Sequence, residues 1–303
     1  IGINEIYNAA EEMDRRIKER SDIEERANWS ESVRKLKFKE VTDGKLNLCE
    51  TLKIENLCNI VGMVGSGKST LMHVIAFWAA TEGYRIVLVL DSVMEVLKTV
   101  KLFRNLGISV SPLLGRFNKE QQINKAYNSN SMYLDLEYAQ HLTAVCPLDG
   151  LRQNTEDKAL DYGEEPCYVL KRSEKSTMSV CRFYFQCPAK ADERAITSSS
   201  IIVTTPASLV YGRAPFPIIG EKMKFVEYIV KYIDLVFFDE ADRVQSYLDA
   251  EFCPSSSIDD LLADSADLVS HYMSAKGDRL DMEDEERKYI DQISSLPRIC
   301  DDV

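Results

Sequence analysis

The sequence predicts an α/β protein built on a doubly wound parallel sheet, with an inserted cysteine-rich subdomain and helical flanks. Short continuous apolar runs, typical of buried parallel strands, recur along the chain, and stretches with helical apolar spacing lie between several of them. The alternation is broken between residues 118 and 198 by about 80 residues rich in Tyr, Cys, Glu and Lys, too many for an ordinary connection. We therefore expect one sheet domain in two sequence segments, with a subdomain inserted between them.

The individual elements follow from local patterns. Helix is expected over residues 4–40, over 69–80, over a third stretch that ends at Gly107, and after residue 252 in SSSIDDLLADSADLVSHYM. Strands are expected in the runs NLCNIVGMV, YRIVLVLDS, ISVSPLLG, SSIIVTTPASL and YIDLVFFDEAD. The predicted segments are helical 1–45, sheet domain 46–117, inserted subdomain 118–198, sheet domain 199–252 and helical 253–303.

Composition narrows the class of protein. The 303-residue chain carries a formal net charge of −12, which argues against a surface that binds nucleic acid everywhere and still allows a local basic groove. No apolar run approaches the roughly 18 residues of a membrane span, and no signal-peptide pattern opens the chain, so we expect a cytoplasmic protein with no membrane partner. Its eight cysteines are then not expected to form a disulfide framework.

A glycine-rich loop follows the first predicted strand. Gly62, Gly67, Lys68 and Ser69 fit the pattern G-x-x-x-x-G-K-[ST], in which backbone N–H groups and a helix N-terminus cradle phosphates. Lys68 would reach the β- and γ-phosphates of ATP, and Ser69 would bind Mg²⁺. The expected ligands of ATP and Mg²⁺ in this loop are Gly62, Gly65, Ser66, Gly67, Lys68, Ser69 and Thr70.

Two acidic residues follow the last predicted strand. Asp239 comes directly after the run Leu235 to Phe238, at the carboxyl edge where open α/β sheets bind their ligands. We expect Asp239 to position Mg²⁺ and Glu240 to orient or deprotonate the attacking water. With Lys68 they form the predicted catalytic set.

Four cysteines cluster in the inserted segment. Cys146, Cys167, Cys181 and Cys187 are separated by 20, 13 and 5 residues, which lacks the tight pairs usual for structural zinc. Iron–sulfur clusters also take four thiolates, tolerate wider spacing and often place proline after a ligand, as in Cys187-Pro188. We favour an iron–sulfur cluster of the 4Fe-4S type, with Zn²⁺ or no metal as the alternatives.

The same segment combines basic and aromatic residues. Residues 168–190 contain five basic residues and one acidic residue, interleaved with four aromatic rings. Such a mixture suits a single-stranded nucleic acid, whose phosphates need cations and whose bases stack on rings. The alternative is that RFYF packs around a metal while the lysines are solvated. The expected nucleic-acid contacts in the segment are Lys171, Arg172 and Arg182.

These motifs together resemble those of superfamily 2 helicases. Asp239, Glu240, Ala241 and Asp242 spell the DEAD form of motif II, and GSGKST matches motif I. RIVLVLDS stands in the place of motif Ia, and VTTPASLV resembles the upstream motif that touches the nucleic-acid backbone. The resemblance implies a RecA-like (P-loop) sheet domain with ATP hydrolase activity. It also implies phosphate contacts from Thr204, Thr205 and Ser208.

The cysteine insertion between motifs I and II resembles the XPD/DinG group of iron–sulfur DNA helicases. In that group a helical arch domain begins after motif II, as the acidic helical region does after Asp242. The stretches GEEPCYVLKR, CRFYFQCP and IIVTTPASLVYGR also resemble helicases encoded beside prokaryotic Piwi-type proteins in defence islands. That second resemblance implies an anti-phage or anti-plasmid role with a Piwi-type or nuclease partner.

The resulting hypothesis is motor domain 1 of an ATP-dependent DNA helicase or translocase acting on single-stranded or partly duplex DNA. Only one strand–helix series of this kind is visible, so a second RecA-like domain is expected in cis beyond residue 303 or in trans. Alone, the chain should bind ATP weakly and hydrolyse it slowly. The alternative hypothesis is a non-unwinding subunit that binds nucleic acid or docks partners under the control of ATP.

Overall fold

A computed structural model describes residues 1–20, 28–42, 45–54, 56–63, 65–128, 136–144, 146, 148, 167, 170–171, 178–253 and 288. The chain divides into two units, Ile1–Val244 and Gln245–Val303. The sheet and every site below lie in the first unit. The helix predicted in SSSIDDLLADSADLVSHYM lies outside the described residues.

The described helices are α1 (Ile3–Lys18), α2 (Trp29–Arg34), α3 (Lys68–Thr81), α4 (Val93–Asn105), α5 (Arg116–Asn128), α6 (Leu136–Leu142), α7 (Ala191–Ala195), α8 (Pro206–Tyr211), α9 (Phe216–Ile219), α10 (Phe225–Tyr232) and α11 (Ala241–Phe252). The described strands are β1 (Lys39–Thr42), β2 (Lys45–Leu48), β3 (Ile86–Val89), β4 (Val110–Leu113), β5 (Leu170–Lys171), β6 (Met178–Ser179), β7 (Ile201–Thr204) and β8 (Leu235–Phe238). A short 3₁₀ helix, Pro188–Lys190, precedes α7.

The main sheet has four parallel strands in the order β4-β7-β3-β8. Every residue of β3, β4 and β7 is buried, as the continuous apolar runs predict for parallel strands packed on both faces. The prediction of an α/β protein with a parallel sheet is therefore confirmed. Because all four strands run the same way, their carboxyl ends meet at one edge of the sheet.

Two helices lie where the sequence predicts them: α3 after the phosphate loop and α4 after β3. The α3 helix begins at Lys68 and buries most of its apolar side chains in the core. The α4 helix ends where Gly107, at φ 75°, donates its N–H to the carbonyl of Arg104, and Ile108 donates to Phe103. This pair of bonds is a Schellman motif, so the predicted role of Gly107 at the helix end is confirmed.

The strand predicted in NLCNIVGMV is not formed, and this prediction was wrong. Residues 56–63 are irregular and exposed, with Val61 and Met63 more than four-fifths accessible. A strand requires a neighbour that satisfies its backbone N–H and C=O groups. Among the described strands, β8 pairs only with β3, so the sheet ends at β8 and this apolar segment lies outside it.

The continuous helix predicted over residues 4–40 is also corrected. The structure has two helices there, followed by the antiparallel hairpin β1–β2. Asp14 of α1 is buried and its carboxylate accepts hydrogen bonds from the N–H groups of Trp29 and Ser30 and from the Ser30 hydroxyl. A charged side chain from α1 thereby satisfies the N-terminus of α2 and fixes the angle between the two helices.

The predicted insertion is described only in part, namely in α5, α6, the short β5–β6 pair and residues 180–198. Among the described residues, no helix is both long enough and apolar enough to cross a bilayer.

Candidate nucleotide site at the carboxyl edge of the sheet

The phosphate loop and the acidic strand end meet at the sheet edge. The Ser69 hydroxyl lies 3.0 Å from one carboxylate oxygen of Asp239 and 3.3 Å from the other, although the two residues are 170 positions apart. Asp239 is held there because its N–H donates to the carbonyl of Val89 on β3, at 3.1 Å. A hydroxyl and a carboxylate at this distance are oxygen ligands of the kind that Mg²⁺ prefers.

Lys68 is folded onto its own loop. Its ammonium donates to the carbonyl of Gly62 at 2.8 Å and to that of Met63 at 3.2 Å. Gly67, at φ 90°, precedes the helix in the left-handed conformation that glycine tolerates best. A Cβ on Gly62 would lie 2.7 Å from the Ser66 hydroxyl. The loop thus folds back onto the lysine, and the positive φ of Gly67 favours glycine directly before the helix.

Glu240 has an unusual backbone conformation. Its φ of 50° places a non-glycine residue in the left-handed region, and its N–H donates to Asp239 at 3.2 Å. Such strain is most often kept at functional positions. The following turn is fixed by Arg243, whose guanidinium donates to the Asp91 carboxylate at 2.8 Å and links α11 to the end of β3.

No protein-family model, curated protein or solved structure matches the chain. What marks this edge as a candidate site is the geometry of Lys68, Ser69, Asp239 and Glu240. Lys68 and Ser69 begin α3, whereas Asp239 and Glu240 follow β8, so helix and strand together place a cation, a hydroxyl and two carboxylates at one edge. The remaining predicted loop residues, Gly65, Ser66 and Thr70, lie in the same turn or in the first turn of α3.

A histidine lies behind this site. The His73 ring packs edge-on against Phe103, with centroids 5.9 Å apart. Burial holds the pKa of His73 at about 4, below the ordinary 6.5, and the negative charge of Asp239 opposes that shift only in part. His73 is thus a neutral packing residue at physiological pH.

Acidification should therefore destabilise the fold through His73. Between pH 6.5 and about 4, His73 binds a proton in the unfolded state and not in the folded state. The free energy of unfolding therefore has its full value above pH 6.5 and falls as the pH is lowered toward 4. We expect His73→Gln to reduce the loss of unfolding free energy between pH 7 and pH 4.5 by about 2 kcal/mol, at about 1.4 kcal/mol per pKa unit. Urea titrations of both proteins measure this, and an equal acid loss in the variant would contradict it.

The four cysteines of the predicted insertion lie near one another. Cys146, Cys167 and Cys187 line a common cavity of about 90 Å³ beside the end of β4. Cys181 packs against Cys167 and donates its N–H to the carbonyl of that residue at 3.4 Å. Within the described part of the chain, no three Cys, His, Asp or Glu side chains are close enough to hold one metal ion. In a 4Fe-4S cluster each thiolate binds a different iron atom. Its four cysteines therefore lie farther apart than the ligands of a single Zn²⁺ do.

The predicted nucleic-acid contacts fall into two groups. The hydroxyls of Thr204, Thr205 and Ser208 are buried and engaged internally, because Thr204 donates to the carbonyl of Leu113 at 2.9 Å and Thr205 caps α8. Ser208 accepts from the N–H of Gly115 at 3.1 Å. In this structure the three hydroxyls fix the loop after β4 and do not face solvent. Arg182 is exposed, whereas Arg172 and the side chain of Lys171 lie outside the described residues.

A buried polar network was not foreseen from the sequence. The Arg104 guanidinium lies 2.8 Å from Nε2 of His141, and Nδ1 of His141 lies 2.7 Å from the Asp192 carboxylate. Arginine can only donate, so Nε2 must accept and Nδ1 must carry the proton. A neutral His141 thus joins α4 to α7 next to the cysteines. No local sequence pattern indicates the network, because its members lie 37 and 51 positions apart in the sequence.

Proposed function

We propose that the chain is motor domain 1 of an ATP-dependent DNA helicase or translocase of superfamily 2, with a RecA-like sheet. The observation that carries the proposal is the 3.0 Å distance between the Ser69 hydroxyl and Asp239. The order of motifs along the chain supports the same class. The geometry itself supports nucleotide chemistry, and the assignment to helicases rests on the resemblance of the motifs.

Each residue of the site would have its own role in ATP hydrolysis. Lys68 would exchange the carbonyls of Gly62 and Met63 for the β- and γ-phosphates, and the loop N–H groups would hold the same phosphates. Ser69 and Asp239 would hold Mg²⁺, which when bound neutralises phosphate charge. Glu240 would accept a proton from the attacking water, with its carboxylate placed by the strained turn.

The cysteines would hold an iron–sulfur cluster, as in the XPD/DinG group. A single Zn²⁺, the alternative, would need at least three of them closer together than they lie in this structure. Support comes from the shared cavity of Cys146, Cys167 and Cys187 and from the neighbouring Cys181. When bound, the cluster would cross-link segments that are far apart in sequence. Anaerobic purification with iron and zinc analysis tests this, and a colourless protein with stoichiometric zinc would decide for the alternative.

The proposal also includes a second domain and a partner protein. We propose a second RecA-like domain, in cis or in trans, to complete the ATP site, and a role in prokaryotic defence beside a Piwi-type or nuclease partner. A cytoplasmic location is part of the same proposal.

A second candidate is a non-unwinding subunit that uses ATP binding to dock a partner. It is favoured by the exposed apolar side chains of Leu57 and Val61 before the phosphate loop and of Met63 within it, where nucleotide binding would change the surface that a partner contacts.

The Lys68→Ala variant separates the two candidates. For a motor, we expect the variant to lose DNA-stimulated ATP hydrolysis and strand separation while keeping its DNA affinity in the absence of nucleotide. The measurements are phosphate release with and without single-stranded DNA and displacement of a labelled strand. A wild-type protein whose ATP hydrolysis does not respond to DNA, together with ATP-dependent capture of a partner that Lys68→Ala abolishes, would decide for the docking subunit.

A further inference from the structure

The turn between Cys181 and Cys187 presents two aromatic rings to solvent. Phe183 is 58% exposed and Phe185 is 64% exposed, whereas Tyr184 between them is fully buried. Phenylalanine has no polar group that would favour water, so two such rings exposed two residues apart in one turn point to a function. For the RFYF stretch, the sequence left open whether its rings pack internally or face a nucleic acid. In the structure Tyr184 packs beside the cysteines, and the two phenylalanines face outward.

The turn is held rigidly from beneath. Tyr184 packs with Cys167 and Cys181, and its hydroxyl donates to Glu193 at 3.1 Å. Burial, reinforced by the negative charge of Glu193, raises the pKa of Tyr184, so the phenol stays protonated and remains a donor. Arg194 donates to the carbonyls of Tyr184 and Cys187.

The backbone of the turn adds three further bonds. Tyr184 donates to Cys181 at 3.0 Å, Gln186 to Phe183 at 2.9 Å and Cys187 to Tyr184 at 3.4 Å. The ring of Phe185 also stands edge-on to that of Tyr184, with centroids 5.4 Å apart. The backbone that carries both rings is therefore held in place, and so is the ring of Phe185, which reduces the ordering entropy that binding a flat partner would cost.

The charge beside the rings indicates the chemistry of the ligand. Of the two cations in residues 180–190, Lys190 is paired with Glu193 at 3.0 Å, so Arg182 is the exposed cation of this turn, within a chain of net charge −12. Arg182 is exposed directly before the first ring. A ring face accepts any nucleobase, and an adjacent guanidinium accepts the phosphate that follows it.

We propose that Phe183 and Phe185 form a stacking platform for the unpaired bases of a single-stranded nucleic acid, with Arg182 contacting its phosphates. This inference rests on the proposed function and specifies the residues that meet the bases. The platform reads no sequence, because neither ring can form a base-specific hydrogen bond.

The test is a pair of equilibrium titrations on the full chain without nucleotide. One probe is a labelled oligothymidylate, and the other is a strand of equal length in which every base is missing. Replacing both phenylalanines (Phe183→Ala with Phe185→Ala) should weaken binding of the oligothymidylate by about 5- to 140-fold per stacked base and leave the abasic strand unaffected. Tyr84→Ala is the matched control, since Tyr84 is an exposed ring before β3, and it should change neither affinity.

The salt dependence of the binding affinity distinguishes contacts to the bases from contacts to the phosphates. The double phenylalanine variant should keep the wild-type slope of log affinity against log salt, whereas Arg182→Ala should reduce that slope by about 0.7 and weaken both strands equally. Thermal unfolding checks that each variant remains folded.

Three results would overturn the platform. They are unchanged oligothymidylate binding by the double variant, equal weakening of both strands by that variant, and equal weakening by Tyr84→Ala. In each case the proposed motor stands, because DNA-stimulated hydrolysis and its dependence on Lys68 are measured separately. A wild-type chain that binds neither strand would remove the proposed motor together with the platform.

Discussion

In the proposed ATP hydrolase, replacing Glu240 should slow hydrolysis by about 10²- to 10⁴-fold, the usual contribution of a general base. We expect Glu240→Gln and Glu240→Gly to share this loss and to keep nucleotide binding, because Lys68, Ser69 and Asp239 are unchanged. The two variants should differ in stability. Glycine releases the strain of a φ of 50°, so Glu240→Gly should raise the free energy of unfolding by about 1 kcal/mol, whereas Glu240→Gln should leave it unchanged.

Single-turnover hydrolysis and urea denaturation of both variants measure these two effects independently. Full hydrolysis by Glu240→Gln would remove Glu240 from the catalytic set. A Glu240→Gly protein no more stable than Glu240→Gln would show that the left-handed turn carries no strain.

Gly212→Ala should be strongly destabilising. A Cβ at this position would lie 2.2 Å from the carbonyl oxygen of Ser208 and 3.2 Å from Leu113. The backbone cannot easily withdraw, because the N–H of Gly212 donates to Ser208 at 2.8 Å and its carbonyl accepts from Phe225 at 2.9 Å. We expect a loss of about 3 kcal/mol in unfolding free energy, as for severe overpacking.

Gly115→Ala is the matched control. Its Cβ would lie 3.8 Å from the hydroxyl of Ser208, an ordinary contact, so the change should stay within about 0.5 kcal/mol of wild type. Chemical denaturation of both variants gives the comparison. Equal midpoints for the two would mean that the connection from α8 to α10 yields to an added methyl group.

The parallel sheet and the pairing of Ser69 with Asp239 could be predicted because both rest on short-range patterns. Buried parallel strands are continuous apolar runs, and a side chain that directly follows such a run must lie at the carboxyl edge. The same patterns failed for NLCNIVGMV, since apolar composition indicates that a strand can form and does not identify the neighbour that would pair with it.

Other features of the site depend on contacts that no local pattern encodes. Thr205 and Ser208 have hydroxyls that suit a phosphate and equally suit a helix cap or a loop N–H, and only the fold shows which bond is made. The bridge from Arg243 to Asp91 joins residues 152 positions apart. The φ of Glu240 likewise reflects the turn between β8 and α11.

The closed arrangement of Lys68 has a consequence for nucleotide affinity. In the proposed nucleotide site, phosphates would occupy the loop only in molecules whose ammonium has left the carbonyls of Gly62 and Met63. The apparent dissociation constant would then be the intrinsic value divided by the fraction of open loops. If closure is worth about 1.4 kcal/mol, apparent affinity falls about tenfold. Any partner that favours the open loop would recover that factor, and it would act as an activator of nucleotide binding without touching the nucleotide.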